Sequence, residues 1–375
     1  MELHVHLDGS FDPSVLLSHL KETGEYSSLL EESVFPWDQS TVNLRSLVQA
    51  CESEEAFHSL CTCRGKCSLN SVLECFSVFI LIVRGDLILI EKLTCDFVER
   101  QAQHNLIYSE VRYSPHLLAK GGDIGGTESV DPIPIIDAVT KGLRRGENEY
   151  GVRVNQILCC IAWRPDWAKD IIEMAHERRN NTPSAVVGVD IAPGEEHFDK
   201  EESPHLHDLH FQAFQRAREL RLNITIHAGE VGDAAFVRKA VNEYGATRIG
   251  HGYHIAKDLE CLEEMRRKNI HFELFPTSSV ETGGWIHGKE RRDWKTHPAI
   301  SMLRYGLNLG FNSDDPAVFD TSLTWQYRIA VGKMGLTKRC ILKTLQCSIN
   351  SAFIDDEEKA ILRSHVAEYL DKIGM

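Results

Sequence analysis

The sequence has no hydrophobic segment long enough to cross a membrane and no secretory signal. Its longest apolar run, Val78–Val83, ends at Arg84, whereas a membrane-spanning helix needs about 20 apolar residues. The N-terminal residues Met1–His6 contain neither a basic start nor an apolar stretch. We therefore expect a cytoplasmic protein that does not associate with membranes.

An excess of positive charge is also missing. The 375 residues include 55 acidic and 41 basic side chains, which gives a formal net charge of −14. Surfaces that bind nucleic acids or anionic membranes need clustered lysine and arginine. We expect no nucleic-acid partner, although a small neutral fragment of a nucleic acid is not excluded as a substrate.

Disulfide pairing cannot be complete within the chain, because the sequence has 11 cysteines, an odd number. Adjacent residues such as Cys159 and Cys160 do not suit a regular disulfide framework, and a chain of this length folds without one. The cysteine usage therefore indicates a reducing compartment. The sequence does not fix the oligomeric state, and we expect a monomer.

Short apolar runs alternate with amphipathic segments along almost the whole chain. Segments such as Phe211–Leu220 and Ala234–Tyr244 are typical of helices. Alternating strands and helices favour a parallel sheet, and eight strands are the number of a (β/α)8 TIM barrel, an α/β fold. The loop His6–Ser10 is not the glycine-rich turn that opens a doubly wound dinucleotide-binding sheet. The eight predicted strands are Leu3–Leu7, Leu106–Val111, Val154–Ile161, Val186–Ile191, Asn223–Ile226, Arg248–Gly250, His271–Leu274 and Leu307–Phe311.

We interpret residues 1–375 as a single barrel domain with two additions. Roughly residues 10–105, between the first and second predicted strands, are expected to be a mostly helical insertion that packs over one end of the barrel. The segment Leu336–Leu370 is expected to form two closing helices after the eighth strand. No internal repeat or low-complexity linker divides the chain into further domains.

Polar side chains follow several of the predicted strands. His4 and His6 lie two residues apart on the first strand, so that both imidazoles point to the same face. His227 and Glu230 follow the fifth strand, and His251 follows the sixth. Because the carboxyl ends of barrel strands converge on the face where active sites of this fold lie, we expect these side chains to meet.

Two acidic residues, Asp314 and Asp315, follow the eighth predicted strand and complete this cluster. Three histidines and a carboxylate are a suitable set for Zn²⁺ that leaves one position open for water. Glu230 and His251 would stand beside the ion, where they are suited to proton transfer. The pattern therefore predicts a catalytic metal centre.

Five short motifs carry a family resemblance, namely Glu2–Gly9, Val111–Leu118, His227–Gly232, Gly250–His254 and Ser313–Pro316. Jointly and in this order they resemble the adenosine deaminase family of the amidohydrolase superfamily. The lysine that bridges two metals in dinuclear relatives has no counterpart, so the resemblance implies one zinc ion per chain. Members of the family carry a short lead segment before the first strand, so we expect the N-terminus to be truncated.

The resemblance implies roles for the residues of the metal centre. The expected zinc ligands are His4, His6, His227 and Asp314. Glu230 is expected to protonate the purine N1, while His251 and Asp314 assist the attack of water on C6. The implied reaction is the hydrolysis of adenosine and 2′-deoxyadenosine to inosine and ammonia, a step of purine metabolism.

The resemblance also implies contacts with the substrate, to which His6 is expected to contribute. Asp315 matches a residue that hydrogen-bonds the purine N7, and Asp8 matches one that contacts the ribose 5′-hydroxyl. A glycine whose N–H contacts the purine N3 is placed at Gly194, next to an apparently additional Pro193. The apolar wall of the pocket is expected on one helix face, formed by Leu69, Val72, Leu73 and Phe76.

Two alternatives remain open. An AMP or N6-substituted AMP deaminase on the same barrel would need a basic cluster for the phosphate, and we expect Arg112 to be held in a structural ion pair instead. A non-catalytic purine-binding or receptor-binding protein would have lost a metal ligand or the glutamate, and neither is lost.

Two other clusters have some metal-binding residue types. His205–His210 lies before a predicted helix rather than after a strand, which makes convergence with other ligands unfavourable. Cys61–Cys67 contains three thiols but lacks the paired spacing of zinc-binding cysteines. We expect neither cluster to bind a metal.

Overall fold

The computed structural model describes residues 1–23, 32–34, 41–43, 53–65, 68–120, 130–180, 182–285 and 293–372. Eight strands form one parallel sheet in which each barrel strand pairs with the next one along the chain. The strands are β1 (Glu2–His6), β2 (Glu32–Val34), β3 (Thr41–Asn43), β4 (Tyr108–Tyr113), β5 (Arg153–Ile161), β6 (Val186–Ala192), β7 (Asn223–Ala228), β8 (Arg248–His251), β9 (His271–Leu274) and β10 (Asn308–Phe311).

The sheet closes where its last strand meets its first. Directly after β10, the backbone N–H of Asp314 donates to the carbonyl of His4 at 3.3 Å, and the N–H of His6 donates to the carbonyl of Asp314 at 2.8 Å. The prediction of a (β/α)8 barrel is therefore confirmed. Each of the eight predicted strands overlaps an observed strand of the barrel.

Strands β2 and β3 were not predicted from the sequence. They pair with each other in antiparallel orientation, between β1 and β4, and each has 3 residues. A segment this short does not produce a recognisable alternation of polar and apolar residues.

Helices separate the barrel strands, and several lie between β1 and β4, where the sequence predicts the insertion. Two helices follow β10 in the segment predicted to close the barrel, beginning at Lys338 and Asp356. The α-helices of the described residues are α1 (Pro13–Thr23), α2 (Glu54–Cys61), α3 (Leu69–Val83), α4 (Leu87–Gln103), α5 (Pro115–Leu118), α6 (Ile133–Tyr150), α7 (Ala168–Arg178), α8 (Pro204–Glu219), α9 (Ala234–Asn242), α10 (Leu259–Arg267), α11 (Ser278–Glu281), α12 (Pro298–Tyr305), α13 (Leu323–Gly332), α14 (Lys338–Ser351) and α15 (Asp356–Lys372).

Helix α3 contains the longest apolar run of the sequence. Ser68 caps its first turn by accepting a hydrogen bond from the N–H of Ser71. After the helix, the chain turns through Gly85 at a φ of 76°, a conformation that favours glycine. Most of the run, including Val78 and Phe79, is buried in the core. Among the described residues, no helix is long and apolar enough to cross a membrane.

The interior of the barrel holds charged side chains in addition to apolar ones. Arg112 binds Asp190 at 2.5 Å and Glu273 at 3.0 Å. Arg248 binds Glu110 at 2.5 Å and Glu273 at 2.6 Å, and all five side chains are fully buried. Such pairs are favourable only when every buried charge keeps a partner. The expected structural role of Arg112 in an ion pair is confirmed.

Candidate active site

A cavity opens at the carboxyl ends of the barrel strands. One wall is the apolar face of α3, which contributes all four residues predicted for it together with Ile80. The opposite side is polar. The described residues that line the cavity are His6, Asp8, Leu69, Val72, Leu73, Phe76, Ile80, Ser114, Leu117, Cys159, Ile161, Trp163, Ala192, Pro193, His227, Glu230, His251, Thr282, Asp314 and Asp315.

The four predicted metal ligands lie together, and three of them, His6, His227 and Asp314, line this cavity. Each of His4, His6, His227 and Asp314 offers one ligand atom, and these atoms lie within 4.8 Å of one another. His6 Nε2 is 3.2 Å from His227 Nε2, and His4 Nε2 is 3.2 Å from Asp314 Oδ1. His4 Nε2 is buried and has no hydrogen-bond partner among the described residues. This donor set fits Zn²⁺, which favours nitrogen and carboxylate ligands in tetrahedral sites.

Two carboxylates orient the histidine rings. His4 Nδ1 donates to Glu273 at 2.5 Å, and His227 Nδ1 donates to Asp190 at 3.0 Å. With Nδ1 engaged in this way, both rings direct Nε2 toward the centre of the cluster, as metal binding requires. Arg112 connects the two carboxylates, because its guanidinium binds both of them.

The charges around the cluster also favour a cation. Two buried guanidinium groups, of Arg112 and Arg248, face the buried carboxylates of Glu110, Asp190 and Glu273, and Asp314 adds a further negative charge. When the histidines are neutral, as ligation requires, two negative charges are left in excess. A divalent ion would neutralise them.

The pKa shifts of these ligands have identifiable causes. Burial, reinforced by the charge of Arg112, holds the pKa of His4 well below its usual value, so its ring is neutral. Burial also disfavours the charged form of His227, but Asp190 outweighs it and raises the pKa of that histidine. Burial alone would raise the pKa of Asp190, yet His227 and Arg112 lower it below the ordinary value.

Glu230 lies in the loop after β7, fully buried beside the metal-ligand cluster. Burial is the main cause that raises the pKa of its carboxyl to about 8, and the charge of Asp314 adds to the effect. Its Oε2 atom is 3.6 Å from His251 Nε2. A raised pKa favours the protonated form of Glu230 near neutral pH, which is the form that a residue protonating the substrate would need.

His251 and Asp314 share an unusual backbone conformation. Their φ angles are 67° and 66°, in the left-handed region that costs a residue with a side chain about 1–3 kcal/mol. At these two positions the main chain leaves β8 and β10, and the turns direct both side chains toward the cavity. Such strain is stable only where the surrounding structure fixes it, and it is common at functional sites.

Asp8 and Asp315 are the other two acids of the cavity. Burial raises the pKa of Asp8 to about 7. Burial and the neighbouring charge of Asp314 hold the pKa of Asp315 well above its usual value, so that its carboxyl can donate a hydrogen bond. Asp315 Oδ1 has no partner among the described residues. A Cβ atom at Gly9 would collide with the Asp315 side chain, which explains the glycine.

The structure does not bring Gly194 to the cavity wall. Gly194 lies in the loop after β6 with a φ of 88°, while its neighbour Pro193 and the last strand residue, Ala192, line the cavity. Proline has no N–H, so Pro193 cannot donate a backbone hydrogen bond there. The contact between Gly194 and the purine N3 stays a prediction.

Sequence reasoning missed several residues of the site. Cys159 and Ile161 lie at the carboxyl end of β5 and line the cavity. Both residues follow the same rule as His227, because they lie at the carboxyl end of a barrel strand. A thiol and an aliphatic side chain, however, are not residue types that indicate a catalytic group. Glu273 could have been noticed as a charge within a short buried strand.

The two alternative metal clusters have different outcomes. His207 Nδ1 contacts Asp208 and His210 Nε2 contacts the carbonyl of Ala162, and neither histidine belongs to a possible metal-ligand group within the described part of the chain. In the cysteine segment, Cys61 and Cys63 are buried, but Cys67 lies outside the described residues. The prediction for that segment is therefore not tested.

Several solved structures share the barrel fold of this chain. An amidohydrolase from Burkholderia ambifaria with bound Zn superposes with a TM-score of 0.78 at 21% identity, over 100% of this chain and 91% of that chain. An adenine deaminase from Arthrobacter aurescens gives 0.77 at 21% identity, over 99% and 98%. The apo N6-methyl-AMP deaminase from Arabidopsis thaliana gives 0.73 at 24% identity, over 98% and 96%. At these identities the likeness concerns the fold.

Sequence comparisons identify the family. The adenosine deaminase of Xenopus laevis is 32% identical over 371 residues, which covers 96% of this chain and 92% of that protein. The adenosine deaminase of Shewanella pealeana is 30% identical, with 96% of each chain covered. The sequence model of the family described as adenosine deaminase matches residues 1–369. The chain therefore belongs to the adenosine deaminase family of hydrolytic deaminases.

Proposed function

We propose that the protein hydrolyses adenosine and 2′-deoxyadenosine to inosine and ammonia, with one zinc ion per chain. One observation carries the proposal: the buried carboxyl group of Glu230 lies in the same cavity as a cluster of three histidines and a carboxylate, and burial raises its pKa to about 8. Hydrolysis of an aromatic amidine needs both an activated water and an acid for the ring nitrogen. The cavity offers residues for both.

The residues that would hold the zinc ion are His4, His6, His227 and Asp314, whose ligand atoms already converge. When bound, zinc would act as a Lewis acid that makes water nucleophilic near neutral pH. Glu273 and Asp190 hold two of the rings in the orientation that ligation needs.

The protons move through the acids and the imidazole of the cavity. Glu230 would donate its proton to N1 of the purine as water attacks C6, which lets the ring accept the electron pair. His251, neutral because burial lowers its pKa, can accept the proton that water loses. Asp315 would donate to N7, an acceptor that fixes the orientation of the ring.

The cavity favours a nucleoside over a nucleotide. Its described lining includes the carboxyl groups of Asp8, Glu230, Asp314 and Asp315 but neither lysine nor arginine. Because Glu230 and Asp315 are proton donors in this proposal, the repulsion of a phosphate depends on the ionised form of Asp8, which is present above its pKa of about 7. One unit charge of the phosphate about 4 Å from that carboxylate costs roughly 4 kcal/mol at an effective dielectric constant of 20. Asp8 would instead accept a hydrogen bond from the neutral 5′-hydroxyl.

We also propose that the protein acts in the cytoplasm and that its reaction is a step of purine metabolism. In support, the buried residues Cys95, Cys159, Cys160 and Cys261 are free thiols. The only small-molecule partner that we propose is a purine nucleoside.

Release of ammonia from adenosine tests the proposed reaction. We expect turnover by zinc-loaded protein, loss of turnover after treatment with a chelator, and recovery when zinc is added back. Inosine should form in amounts equal to the ammonia released. Absence of turnover by protein that contains one zinc ion per chain would contradict the proposal.

A further inference from the structure

Glu195 lies next to the cavity but does not line it, and the mechanism above gives it no role. It follows β6 in the loop that contains Pro193, and its side chain is buried. Its Oε1 atom accepts hydrogen bonds from the N–H groups of Gly229 and, at 3.3 Å, of Glu230, while Oε2 accepts from the N–H of Gly232. The N–H of Val231 is also directed at this carboxylate.

One carboxylate thus binds the N–H groups of Gly229, Glu230 and Gly232 and faces that of Val231, in the segment that carries Glu230. The segment lies between β7 and α9 and belongs to neither, so its N–H groups have no strand or helix partner. A run of backbone N–H groups directed at one anion is a typical anion-binding arrangement, here occupied by a side chain of the same protein. Without that acceptor, buried N–H groups would be left unpaired at a cost of about 1–3 kcal/mol each.

The same segment is held from the other side. His254 Nδ1 contacts the carbonyl of Gly232, and His254 Nε2 contacts the carbonyl of Gly284 at 3.0 Å. A Cβ atom at Gly284 would lie 2.5 Å from the carbonyl oxygen of Glu230, so the two segments touch. Residues 229–232 therefore have little freedom to shift as long as the Glu195 carboxylate accepts hydrogen bonds from their N–H groups.

We propose that Glu195 is a positioning residue for the deamination, whose carboxylate fixes residues 229–232 so that Glu230 meets the purine N1. The inference rests on the proposed function. Glu195 acts only through Glu230, because it touches the backbone of the loop and not the cavity. Its removal should therefore impair proton donation while leaving the metal cluster and the apolar wall intact.

Glu195→Gln tests this role, because the amide keeps the shape but places an N–H₂ group against backbone donors. The matched control is Glu196→Gln, the exposed neighbour in the same loop. We expect Glu195→Gln to lower kcat for adenosine by about 10–100-fold, in line with the cost of a small misplacement of a catalytic group. Zinc content should stay that of wild type, and Glu196→Gln should behave as wild type.

A substrate analogue separates positioning from a general structural role. In 1-deazaadenosine a C–H group replaces N1, so this analogue cannot receive the proton of Glu230. Its inhibition constant should change less than about threefold in Glu195→Gln, although kcat for adenosine falls. A parallel loss of inhibitor affinity, or loss of zinc, would overturn the proposal.

A double-variant cycle with Glu230→Gln completes the test. If Glu195 acts through Glu230, adding Glu195→Gln to Glu230→Gln should leave kcat unchanged, whereas independent effects would multiply. If Glu195→Gln does not fold, Glu195→Asp is measured in the same way, and failure of both variants to fold would overturn the proposal in favour of a structural role. Wild-type protein without adenosine turnover would contradict the proposed function, whereas an active wild type with unaffected variants would contradict this inference alone.

Discussion

At the scale of single residues, Glu230 is the side chain on which the proposed chemistry depends most. Replacement of Glu230 by Gln keeps the shape and removes the acidic proton. We expect kcat for adenosine to fall by about 10²–10⁴-fold, the usual contribution of a general acid. Zinc content, measured by atomic absorption, should not change. Near-normal turnover would mean that another group protonates N1.

The pH dependence of the reaction provides a second test of Glu230. Burial raises the pKa of its carboxyl to about 8, so the protonated form is present at and below neutral pH and is lost as the pH rises. Because the protonated form is the active one, kcat/KM for adenosine should decrease on the alkaline side of the profile. A kcat/KM that keeps rising beyond pH 9 would contradict the assignment of Glu230 as the acid.

Asp8 is the residue that we expect to discriminate against phosphate. Replacement of Asp8 by Asn removes a negative charge and keeps a polar group at the ribose end of the cavity. The ratio of kcat/KM for adenosine to that for AMP should narrow by at least about tenfold, since a single repulsion of this kind is worth several kcal/mol. Steady-state kinetics with both substrates measures the ratio. An unchanged ratio would place the discrimination elsewhere.

Residue identity was predictable where chemistry and strand ends coincide. His4, His6, His227 and Asp314 follow from the convergence of strand ends in a barrel, and the structure brings them together. Glu195 was not predictable, because its role depends on four N–H groups that only tertiary structure directs at it. The same holds for Pro193, whose exposure to the cavity depends on the path of one loop.

At the scale of elements, α3 illustrates what helical spacing can and cannot predict. Its residues at positions i, i+3, i+4 and i+7 form the apolar wall that the resemblance implies. Spacing alone does not reveal which surface a helix face covers. That information comes from the packing of α3 over the carboxyl ends of the strands. In this packing the ring centroid of Phe76 lies 6.3 Å from that of His6.

The wall should contribute binding rather than chemistry. We expect Phe76→Ala to raise KM for adenosine by roughly tenfold with a small change in kcat, because the lost apolar contact is worth about 1–3 kcal/mol in the ground state and the transition state alike. Asn70→Ala, on the exposed side of the same helix, is the control. A fall in kcat with unchanged KM would give Phe76 a different role.

At the scale of the whole molecule, the metal site connects distant parts of the chain. Its ligands come from β1, from β7 and from the turn after β10, where the barrel closes. The ion would also compensate the excess of negative charge inside the barrel. The sequence predicts this arrangement, but it does not reveal the buried network of Arg112, Asp190 and Glu273 that orients the ligands.

Zinc should therefore stabilise the folded protein in addition to its role in the reaction. At a free zinc concentration 100 times the dissociation constant, the gain in free energy of unfolding is about 2.7 kcal/mol. Thermal melts of chelated protein should shift upward when zinc is added. His227→Ala should lose this shift, whereas His205→Ala, an exposed histidine outside the ligand cluster, should keep it. A zinc-dependent shift of wild-type size in His227→Ala would show that the ligand assignment is wrong.

The most direct test of the central claim is the ratio of kcat/KM for adenosine to kcat/KM for AMP, measured on one zinc-loaded preparation. At a pH above about 7, where Asp8 is ionised, we expect that adenosine is turned over and that AMP is nearly inert, with a ratio near 10³ from a repulsion of roughly 4 kcal/mol. N6-methyl-AMP and adenine, measured in parallel, should also be poor substrates. A ratio near or below one would contradict the account and identify the protein as a nucleotide deaminase.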